Sequence, residues 1–464
     1  MQNITQVIAA ISTPPGKGGV AIIRLSGEGA FSIAEKIFRP IKSTDFSSIP
    51  PRYACYGHIL DGEERIDDVL LTKFPAPNSY TGEDTVEIAC HGGALVTKTV
   101  LELLLISGAR AADAGEFTKR AFINGKISLT DAEAIGRLLE AESREQIKLS
   151  SDSSRSALSK KIAEIRASLV SLMSSVYARI DYPDEDLGDF DDSELLGSLY
   201  NIRKEIDFLR STYKTGKAVS QGVKTVICGK PNAGKSSFYN SLLGEEAAIV
   251  TDIEGTTRDV LERSLPLGKV VLRLADTAGI RTGEKIDAVE QIGIGKSLEK
   301  IEECELLFAI FDLSREFDAQ DRFILDFIKN TNSPKIAILN KTDKEKLFDE
   351  NLLGDIFDHT IKMSAGGECK EALEEIRKTV DKLFTDERLS IGNDAVISSA
   401  RQNASVARAL DFVNGAIASL EMGFAQDAAS SDIERALGAI SELDGRAVSE
   451  EVVADIFSKF CVGK

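Results

Sequence analysis

One eight-residue segment in the middle of the chain constrains the fold more than any other. It reads Gly-Lys-Pro-Asn-Ala-Gly-Lys-Ser over residues 229–236 and follows an apolar run over residues 223–228. A strand that leads into glycines and then into a helix directs several backbone N–H groups and a helix N-terminus at one point, as a polyphosphate requires. We therefore predict a phosphate loop in which Lys235 reaches the β- and γ-phosphates and Ser236 holds Mg²⁺.

Two later motifs indicate that the base of the nucleotide is guanine. Asn340-Lys-Thr-Asp343 follows the apolar run that begins at Lys335. The Asp343 carboxylate can accept hydrogen bonds from both N1–H and the 2-amino group of guanine, whereas adenine offers neither donor. Ser364-Ala365 follows a further strand-like run and is expected to close the base pocket through backbone N–H groups. The motifs therefore favour GTP over ATP.

The segment between the phosphate loop and the guanine motifs predicts the rest of the magnesium site. Asp276-Thr-Ala-Gly279 follows the apolar run that begins at Val270, so the Asp276 carboxylate ends a predicted strand and can reach the Mg²⁺ shell. Upstream of it, a threonine hydroxyl can ligate Mg²⁺ only while the γ-phosphate is present, which would make that loop a switch. Thr257 is the predicted ligand, and the adjacent Thr256 is the alternative.

Two features that accelerate hydrolysis in other GTPases have no counterpart in these motifs. In Ras-like GTPases a Gln orients the attacking water, but the residue after Gly279 is Ile280. The sequence also gives no sign of an arginine finger directed at the phosphates. Such an arginine typically accelerates hydrolysis ~10³- to 10⁵-fold. A bound cation coordinated by Asn232 could supply the positive charge. Asn is an equally good turn former at this position, so the residues alone leave both interpretations open.

The composition excludes several classes of protein. A chain of 464 residues is too long for a single core, so about two to four domains are expected. The apolar runs are too short to span a bilayer, and no secretory signal is visible. Six cysteines without C-x-x-C spacing and three histidines argue against a zinc site or a disulfide framework. We expect a cytoplasmic protein with no membrane partner. Its net charge of −18 is unfavourable for indiscriminate nucleic-acid binding.

Apolar periodicity divides the chain into four regions. Residues 1–118 mix strand-like runs at residues 20–25, 69–74 and 85–90 with a helical run at residues 95–106. Residues 216–381 alternate strand-like and helical runs, which predicts a parallel sheet covered on both faces. These strand-like runs begin at Val223, Val270, Leu306, Lys335 and Thr360. Residues 119–215 and 382–464 carry apolar stripes at steps of three and four. The stripes are Ile162, Ile165, Leu169, Leu172 and Val176 in the first helical region and Val406, Leu410, Val413, Ile417 and Leu420 in the second. Neither region has a second apolar face, so we predict one helical domain interrupted by residues 216–381.

The motifs taken together resemble those of one family of GTPases. The matching segments are Thr13–Gly19, Asn78–Asp84, His91–Gly93, Gly115–Lys126, Gly229–Ser236, Thr251–Asp259, Asp276–Arg281 and Cys461–Lys464. In these segments the chain resembles the MnmE (TrmE) family of tRNA uridine-modification GTPases. From their residues alone, the segments at residues 13–19, 78–84 and 91–93 are better explained as ordinary turns than as ligand sites. The departures are small: Ala114 stands where the family often has Pro, and Val462 where Ile is common.

The resemblance implies a multidomain fold of α+β and α/β type. Residues 1–118 would form an α+β folate-binding and dimerisation domain, residues 119–215 and 382–464 a split all-helical domain, and residues 216–381 an inserted P-loop, Ras-like α/β G domain. The family acts as homodimers that associate with the FAD-dependent protein MnmG (GidA) in a heterotetramer or larger complex. The implied reaction is potassium-dependent GTP hydrolysis coupled to the addition of a carboxymethylaminomethyl group at C5 of the wobble uridine of certain tRNAs.

The resemblance also implies the ligands of a one-carbon folate and of a monovalent cation. 5-Formyl-tetrahydrofolate or a related folate is expected to bind at Arg24, Glu87, Lys126 and Lys464. Cys461 would lie near the folate, and its role is left open. Potassium is expected at Asn232, Thr251, Ile253 and Thr256, where it would replace the arginine finger. Glu290 matches the glutamate that orients water in place of the missing Gln.

Motifs and resemblance together define a set of predicted nucleotide contacts. These are Asn232, Ala233, Gly234, Lys235, Ser236, Ser237, Thr251, Asp252, Ile253, Glu254, Gly255, Thr256, Thr257, Asp276, Thr277, Ala278, Gly279, Asn340, Lys341, Asp343, Ser364 and Ala365. Two alternative functions remain: a ribosome-assembly GTPase that binds rRNA, and a folate-dependent aminomethyl transferase with a vestigial G domain. The absence of an obvious RNA-binding module disfavours the first, and the intact GTP motifs disfavour the second.

Overall fold

A computed structural model describes residues 6–41, 45–181, 192–246, 263–274, 302–367, 369–424 and 426–463. Its contacts group the chain into two compact units, one formed by Met1–Leu139 with Gly438–Lys464 and the other by Glu140–Leu437. Each unit contains one of the two sheets found among the described residues, a seven-stranded sheet in the first and a six-stranded sheet in the second.

The elements are numbered along the chain over the described residues. The strands are β1 (Ile8–Ile11), β2 (Val20–Ser26), β3 (Phe38–Pro40), β4 (Cys55–Asp61), β5 (Glu64–Phe74), β6 (Thr85–His91), β7 (Arg110–Ala111), β8 (Val223–Gly229), β9 (Arg263–Leu267), β10 (Val270–Leu274), β11 (Leu306–Asp312), β12 (Lys335–Asn340) and β13 (His359–Lys362). The helices are α1 (Ala30–Ile37), α2 (Ala94–Ile106), α3 (Glu116–Ile123), α4 (Leu129–Leu139), α5 (Arg144–Leu149), α6 (Asp152–Asp181), α7 (Asp192–Ser211), α8 (Tyr213–Gln221), α9 (Lys235–Glu246), α10 (Ala319–Ile328), α11 (Lys370–Phe384), α12 (Ala400–Glu421), α13 (Gln426–Ser441) and α14 (Glu450–Ser458).

The sheet of the first unit has the strand order β3-β4-β5-β6-β2-β1-β7 and is antiparallel except for the β1–β7 pair. One face is apolar because side chains alternate along each strand: Ile23, Leu71 and Ile88 are fully buried there with residues of α1 and α2. The opposite face is more polar, and Arg24 on β2 stands opposite Glu87 on β6. The strands predicted in the N-terminal region are therefore confirmed.

The six-stranded sheet has the order β13-β12-β11-β8-β10-β9. Its strands are parallel except for β9, which pairs antiparallel with β10 at the edge. β11 and β12 are buried along their whole length because helices cover both faces, α9 and α11 on one side and α10 on the other. The predicted parallel sheet is thus confirmed. β9 was not predicted, and Pro266 within it is tolerated because β9 is an edge strand.

Both predicted apolar stripes lie on helices and are buried, along α6 and α12 respectively. α7 packs against each of these helices. α8 belongs to a different core, because its Ala218 and Val219 pack with the six-stranded sheet, as do Leu149 of α5 and Val396. The predicted boundary at residue 216 therefore falls inside α8. Among the described helices, none combines the length and apolarity needed to cross a bilayer.

Gly216 in α8 provides a test of this packing. A Cβ atom at Gly216 would lie 2.1 Å from the carbonyl oxygen of Ile397. We expect Gly216→Ala to lower the midpoint of thermal unfolding, because two backbone segments must separate at a cost of about 1–3 kcal/mol. Gly197→Ala in α7 is the matched control: no atom lies within 4 Å of its added Cβ, and Ala favours a helix by about 1 kcal/mol. A midpoint for Gly216→Ala equal to that of the control would contradict the packing.

Candidate nucleotide-binding site

The phosphate loop connects β8 to α9 and requires glycine where backbone and side chains approach closely. Gly234 has a φ of 104°, and a Cβ atom there would lie 2.0 Å from Nδ2 of Asn340. Asn232 also has a left-handed backbone, with a φ of 62°, which asparagine tolerates better than most residues. α9 begins at Lys235, so the loop ends at a helix N-terminus whose unpaired N–H groups favour an anion.

Lys235 is held by the phosphate loop itself. Its Nζ donates hydrogen bonds to the carbonyl oxygens of Gly229 and Lys230, both at 2.8 Å. Burial lowers the pKa of Lys235 below its ordinary value. A phosphate beside the amine would favour the charged form again, so nucleotide binding and protonation of Lys235 reinforce each other. Ser236, the predicted magnesium ligand, is half-buried in the first turn of α9, and Ser237 is exposed.

Asn340 joins the phosphate loop to the predicted base pocket. Its side chain is buried at the end of β12, where Nδ2 donates to the Ala233 carbonyl oxygen at 2.8 Å. Its Oδ1 accepts a hydrogen bond from the Ala365 amide at 2.9 Å. Both bonds are buried, so they are costly to lose. The Ala365 amide, predicted to face the base, is therefore engaged with Asn340 in this structure.

Lys341 makes a second connection between the guanine motif and the phosphate loop. Its Nζ donates to the Asn232 carbonyl oxygen at 3.0 Å and forms an ion pair with Asp312, the last residue of β11. Burial acts to raise the pKa of Asp312, but hydrogen bonds from Lys341 and Ser314 outweigh it, so the pKa lies below its ordinary value. Asp312 was not predicted. Its signal was its place at the end of a buried strand, directly opposite Asn340.

Asp343 and Ser364 are adjacent, as expected for two parts of one base pocket. The Ser364 hydroxyl donates to Asp343 Oδ1 at 2.6 Å. This hydrogen bond lowers the pKa of Asp343, whose carboxylate is exposed. The ionised carboxylate only accepts hydrogen bonds, which suits the two N–H donors of guanine.

The remaining predicted residues of the GTP site lie outside the described residues. They are Thr251, Asp252, Ile253, Glu254, Gly255, Thr256, Thr257, Asp276, Thr277, Ala278, Gly279 and Glu290. The predicted folate ligand Lys464 lies outside them as well. The roles assigned to these residues remain predictions.

Two of the predicted folate ligands meet on the polar face of the seven-stranded sheet. Arg24 donates to Glu87 Oε1 from Nε at 2.9 Å and from Nη2 at 2.8 Å. The Arg24 guanidinium also lies 5.7 Å from the ring centroids of both Tyr80 and Phe117. Lys126, the third predicted ligand, donates to the Pro77 carbonyl oxygen at 3.0 Å. Both cations therefore contact the loop over residues 77–84.

The C-terminal segment is docked along the end of β1. Val462 forms an isolated antiparallel bridge with Ala114. The Ser12 hydroxyl donates to the Gly463 carbonyl oxygen at 3.0 Å. Gly463 has a φ of 97°, and a Cβ atom there would lie 2.4 Å from the Ile11 carbonyl oxygen, so only glycine fits this close approach. Cys461 is a free, exposed thiol in this docked segment.

Family comparisons match almost the whole chain. Residues 7–126 match the family model described as the N-terminus of the GTP-binding protein TrmE, and residues 129–461 match the MnmE helical domain. Proteins described as tRNA modification GTPase MnmE are similar over nearly their full length. That of Thermoanaerobacter sp. (strain X514) is 38% identical over 99% of this chain and 100% of the relative. That of Thermotoga maritima is 40% identical over 98% of this chain and 99% of the relative.

Solved structures match a smaller part of the chain. The crystal structure of Era in complex with MgGDPNP and nucleotides of 16S ribosomal RNA is 25% identical. The match covers 41% of this chain and 66% of that chain, with a TM-score of 0.28.

The Asn340 bridge predicts that one side chain supports binding of both phosphate and base. Asn340→Ala leaves the Ala233 carbonyl and the Ala365 amide buried and unpaired, at a cost of about 1–3 kcal/mol for each group. We expect the affinity for a fluorescent GDP analogue, measured by equilibrium titration, to fall at least tenfold, about 1.4 kcal/mol. Asn351→Ala is the control, because Asn351 is exposed and its side chain bonds to the nearby Asp349. Equal affinities for the two variants would show that the bridge does not support the site.

Proposed function

The chain belongs to the MnmE (TrmE) family of tRNA modification GTPases, and from this premise we propose the finer activity of this GTP-hydrolysing enzyme. Hydrolysis would be potassium-dependent. It would be coupled, with an FAD-dependent partner of the MnmG (GidA) type, to the addition of a carboxymethylaminomethyl group at C5 of the wobble uridine of certain tRNAs. A one-carbon folate would supply the carbon. The observation that carries the nucleotide site is the buried Asn340 bridge between phosphate loop and base pocket.

Magnesium binding and hydrolysis would use residues of the phosphate loop and of the segments that follow it in the sequence. Lys235 would neutralise charge on the β- and γ-phosphates, and Ser236 and Thr257 would hold Mg²⁺, with Asp276 in its outer shell. Glu290 would orient the attacking water in place of the Gln found in Ras-like GTPases. Electrostatic stabilisation of the transferring phosphoryl group is the main contribution such a site makes.

Potassium would take the place of an arginine finger at Asn232. The Asn232 carbonyl oxygen is held by Lys341, which fixes the backbone at this position. The Asn232 side chain is exposed, and no hydrogen bond to this side chain is found among the described residues. The amide oxygen is therefore available to a cation, together with Thr251, Ile253 and Thr256. G domains of two copies would pair when potassium and GTP are bound.

A one-carbon folate would bind to the N-terminal unit. Folates carry carboxylates, which the cations of Arg24 and Lys126 can bind. They also carry a pterin ring, whose N–H groups can donate hydrogen bonds to a carboxylate such as Glu87. The Tyr80 ring beside Arg24 is 38% exposed and offers a surface against which a pterin can stack. Docking of the C-terminal segment at Ser12 supports a place for Lys464 and Cys461 near this site.

The N-terminal unit would also form the homodimer. Tyr56 and Leu70 face each other on β4 and β5 and remain 50% and 45% exposed on the polar face of the sheet. A second copy of the chain that covers these two side chains would bury apolar area and so gain stability. We retain the predicted boundaries at residues 118, 215 and 381 for the folate-binding, split helical and G domains. The dimer would then join MnmG in a cytoplasmic complex that acts on tRNA.

Exchange of the monovalent cation tests the potassium mechanism. We expect GTP turnover by the full chain to rise several-fold when Na⁺ is replaced by K⁺ at constant ionic strength. Asn232→Ala should lose this response, because it removes the coordinating amide oxygen. Asn240→Ala in α9, an exposed asparagine outside the loop, should keep it. A wild-type rate that does not depend on the cation would contradict the mechanism.

Nucleoside analysis of tRNA tests the proposed reaction. Total tRNA from cells lacking this protein should contain unmodified uridine where control cells carry the carboxymethylaminomethyl group. Expression of the full chain should restore the modification. Unchanged tRNA nucleosides together with defective ribosomal RNA processing would instead favour the ribosome-assembly alternative.

A further inference from the structure

Lys230, the second residue of the phosphate loop, is buried in an ion-pair cluster. Its side chain is only 8% exposed, and Nζ lies 2.9 Å from Asp318 Oδ2 and 2.6 Å from Asp321 Oδ2. Burial acts to lower the pKa of Lys230, but the hydrogen bonds and charges of Asp321 and Asp318 raise it above its ordinary value. The two carboxylates therefore stabilise the charged form of the Lys230 amine.

The two carboxylates are themselves fixed by the start of α10. Asp318 is the N-cap residue, and its Oδ1 accepts from the amides of Gln320 at 2.8 Å and Asp321 at 3.2 Å. Asp321 Oδ2 accepts in return from the Asp318 amide at 3.1 Å, which completes a capping box. Lys230 thus binds to a rigid acceptor pair rather than to mobile surface side chains.

The backbone of Lys230 orients Lys235, the lysine that is predicted to contact phosphate. The Lys230 carbonyl oxygen accepts a hydrogen bond from Lys235 Nζ at 2.8 Å. Lys230 also lies two residues before Asn232, whose own carbonyl oxygen is held by Lys341. A shift of Lys230 would therefore move both the acceptor of Lys235 and the backbone that presents Asn232.

The acidic partners of Lys230 and Lys341 lie close together in the sequence, around the connection between β11 and α10. Asp312, which pairs with Lys341, is the last residue of β11, and Asp318 is the N-cap residue of α10. The residues between β11 and α10 contain none of the motifs that identify a GTPase. This connection and its two ends at Asp312 and Asp321 nevertheless hold the phosphate loop near its start through Lys230 and at Asn232 through Lys341.

We propose that the β11–α10 connection clamps the phosphate loop and that Lys230 is a positioning residue for GTP binding and hydrolysis. Lys230 acts through the carbonyl that holds Lys235 and touches no reacting atom. The proposal rests on the GTPase activity of the family and is independent of potassium and folate. A loop that is held in place before nucleotide arrives loses less conformational freedom on binding.

The test compares Lys230→Met with Lys230→Arg in the full chain. We expect Lys230→Met to weaken binding of a fluorescent GDP analogue about tenfold and to slow single-turnover hydrolysis at saturating GTP by a similar factor, while Lys230→Arg recovers most of both. Lys224→Met on β8 and Asp326→Asn on α10 are controls, because both side chains are exposed and lie outside the cluster. Neither control should change affinity or rate.

A double-mutant cycle separates positioning from simple stabilisation. Asp318 is 54% exposed, and Asn is as good an N-cap residue as Asp. Asp318→Asn therefore removes the negative charge of one partner of Lys230 with less risk to folding and should weaken GDP binding about threefold. If Lys230 acts through Asp318, the effects of Lys230→Met and Asp318→Asn on affinity will be less than additive. The proposal is overturned if the effects add, or if Lys230→Met lowers only the unfolding midpoint. Should Lys230→Met fail to fold, unchanged affinity of Asp318→Asn overturns it. A wild-type enzyme indifferent to potassium would leave these outcomes unaffected.

Discussion

The nucleotide site depends on one buried amide, the side chain of Asn340. Its two hydrogen bonds join the phosphate loop at Ala233 to the base-pocket loop at Ala365, although these segments are far apart in sequence. An asparagine suits this position because it offers a donor and an acceptor on one rigid group. Gly234 is required by the same contact, since any side chain there would collide with the amide. The two segments that are predicted to bind the phosphates and the base are therefore joined by direct hydrogen bonds.

Ion pairs extend this link to the rest of the sheet. The Lys341–Asp312 pair fixes the Asn232 carbonyl, and the Lys230 pairs fix the first part of the loop. Buried ion pairs contribute little net stability, because desolvation offsets much of their attraction. Their value in the phosphate loop is geometric, since they fix the Asn232 carbonyl and the Lys230 carbonyl that accepts from Lys235. Such preorganisation is the main contribution of a site whose chemistry is largely electrostatic.

The sequence predicted those features that are encoded locally. β11 and β12 were predicted because strands covered on both faces read as continuous apolar runs, and the GTP motifs follow strand ends at fixed spacing. β9 was missed because its pairing with β10, not its own pattern, makes it a strand. The roles of Lys230 and Asp312 were missed because their partners lie 88 and 29 residues away. A local sequence pattern cannot identify partners so far apart in the chain. Asp312 nevertheless ends a buried strand, as Asn340 does, and this position was a signal in the sequence.

We infer that the phosphate loop is already in its binding geometry and keeps it through hydrolysis. A crystal structure of the protein with GDP, aluminium fluoride, magnesium and potassium would test this inference. We expect the backbone of residues 229–236 to keep its path within about 1 Å, with Asn340 still bonded to Ala233 and Ala365. A rearranged loop in which both Asn340 hydrogen bonds are broken would contradict it.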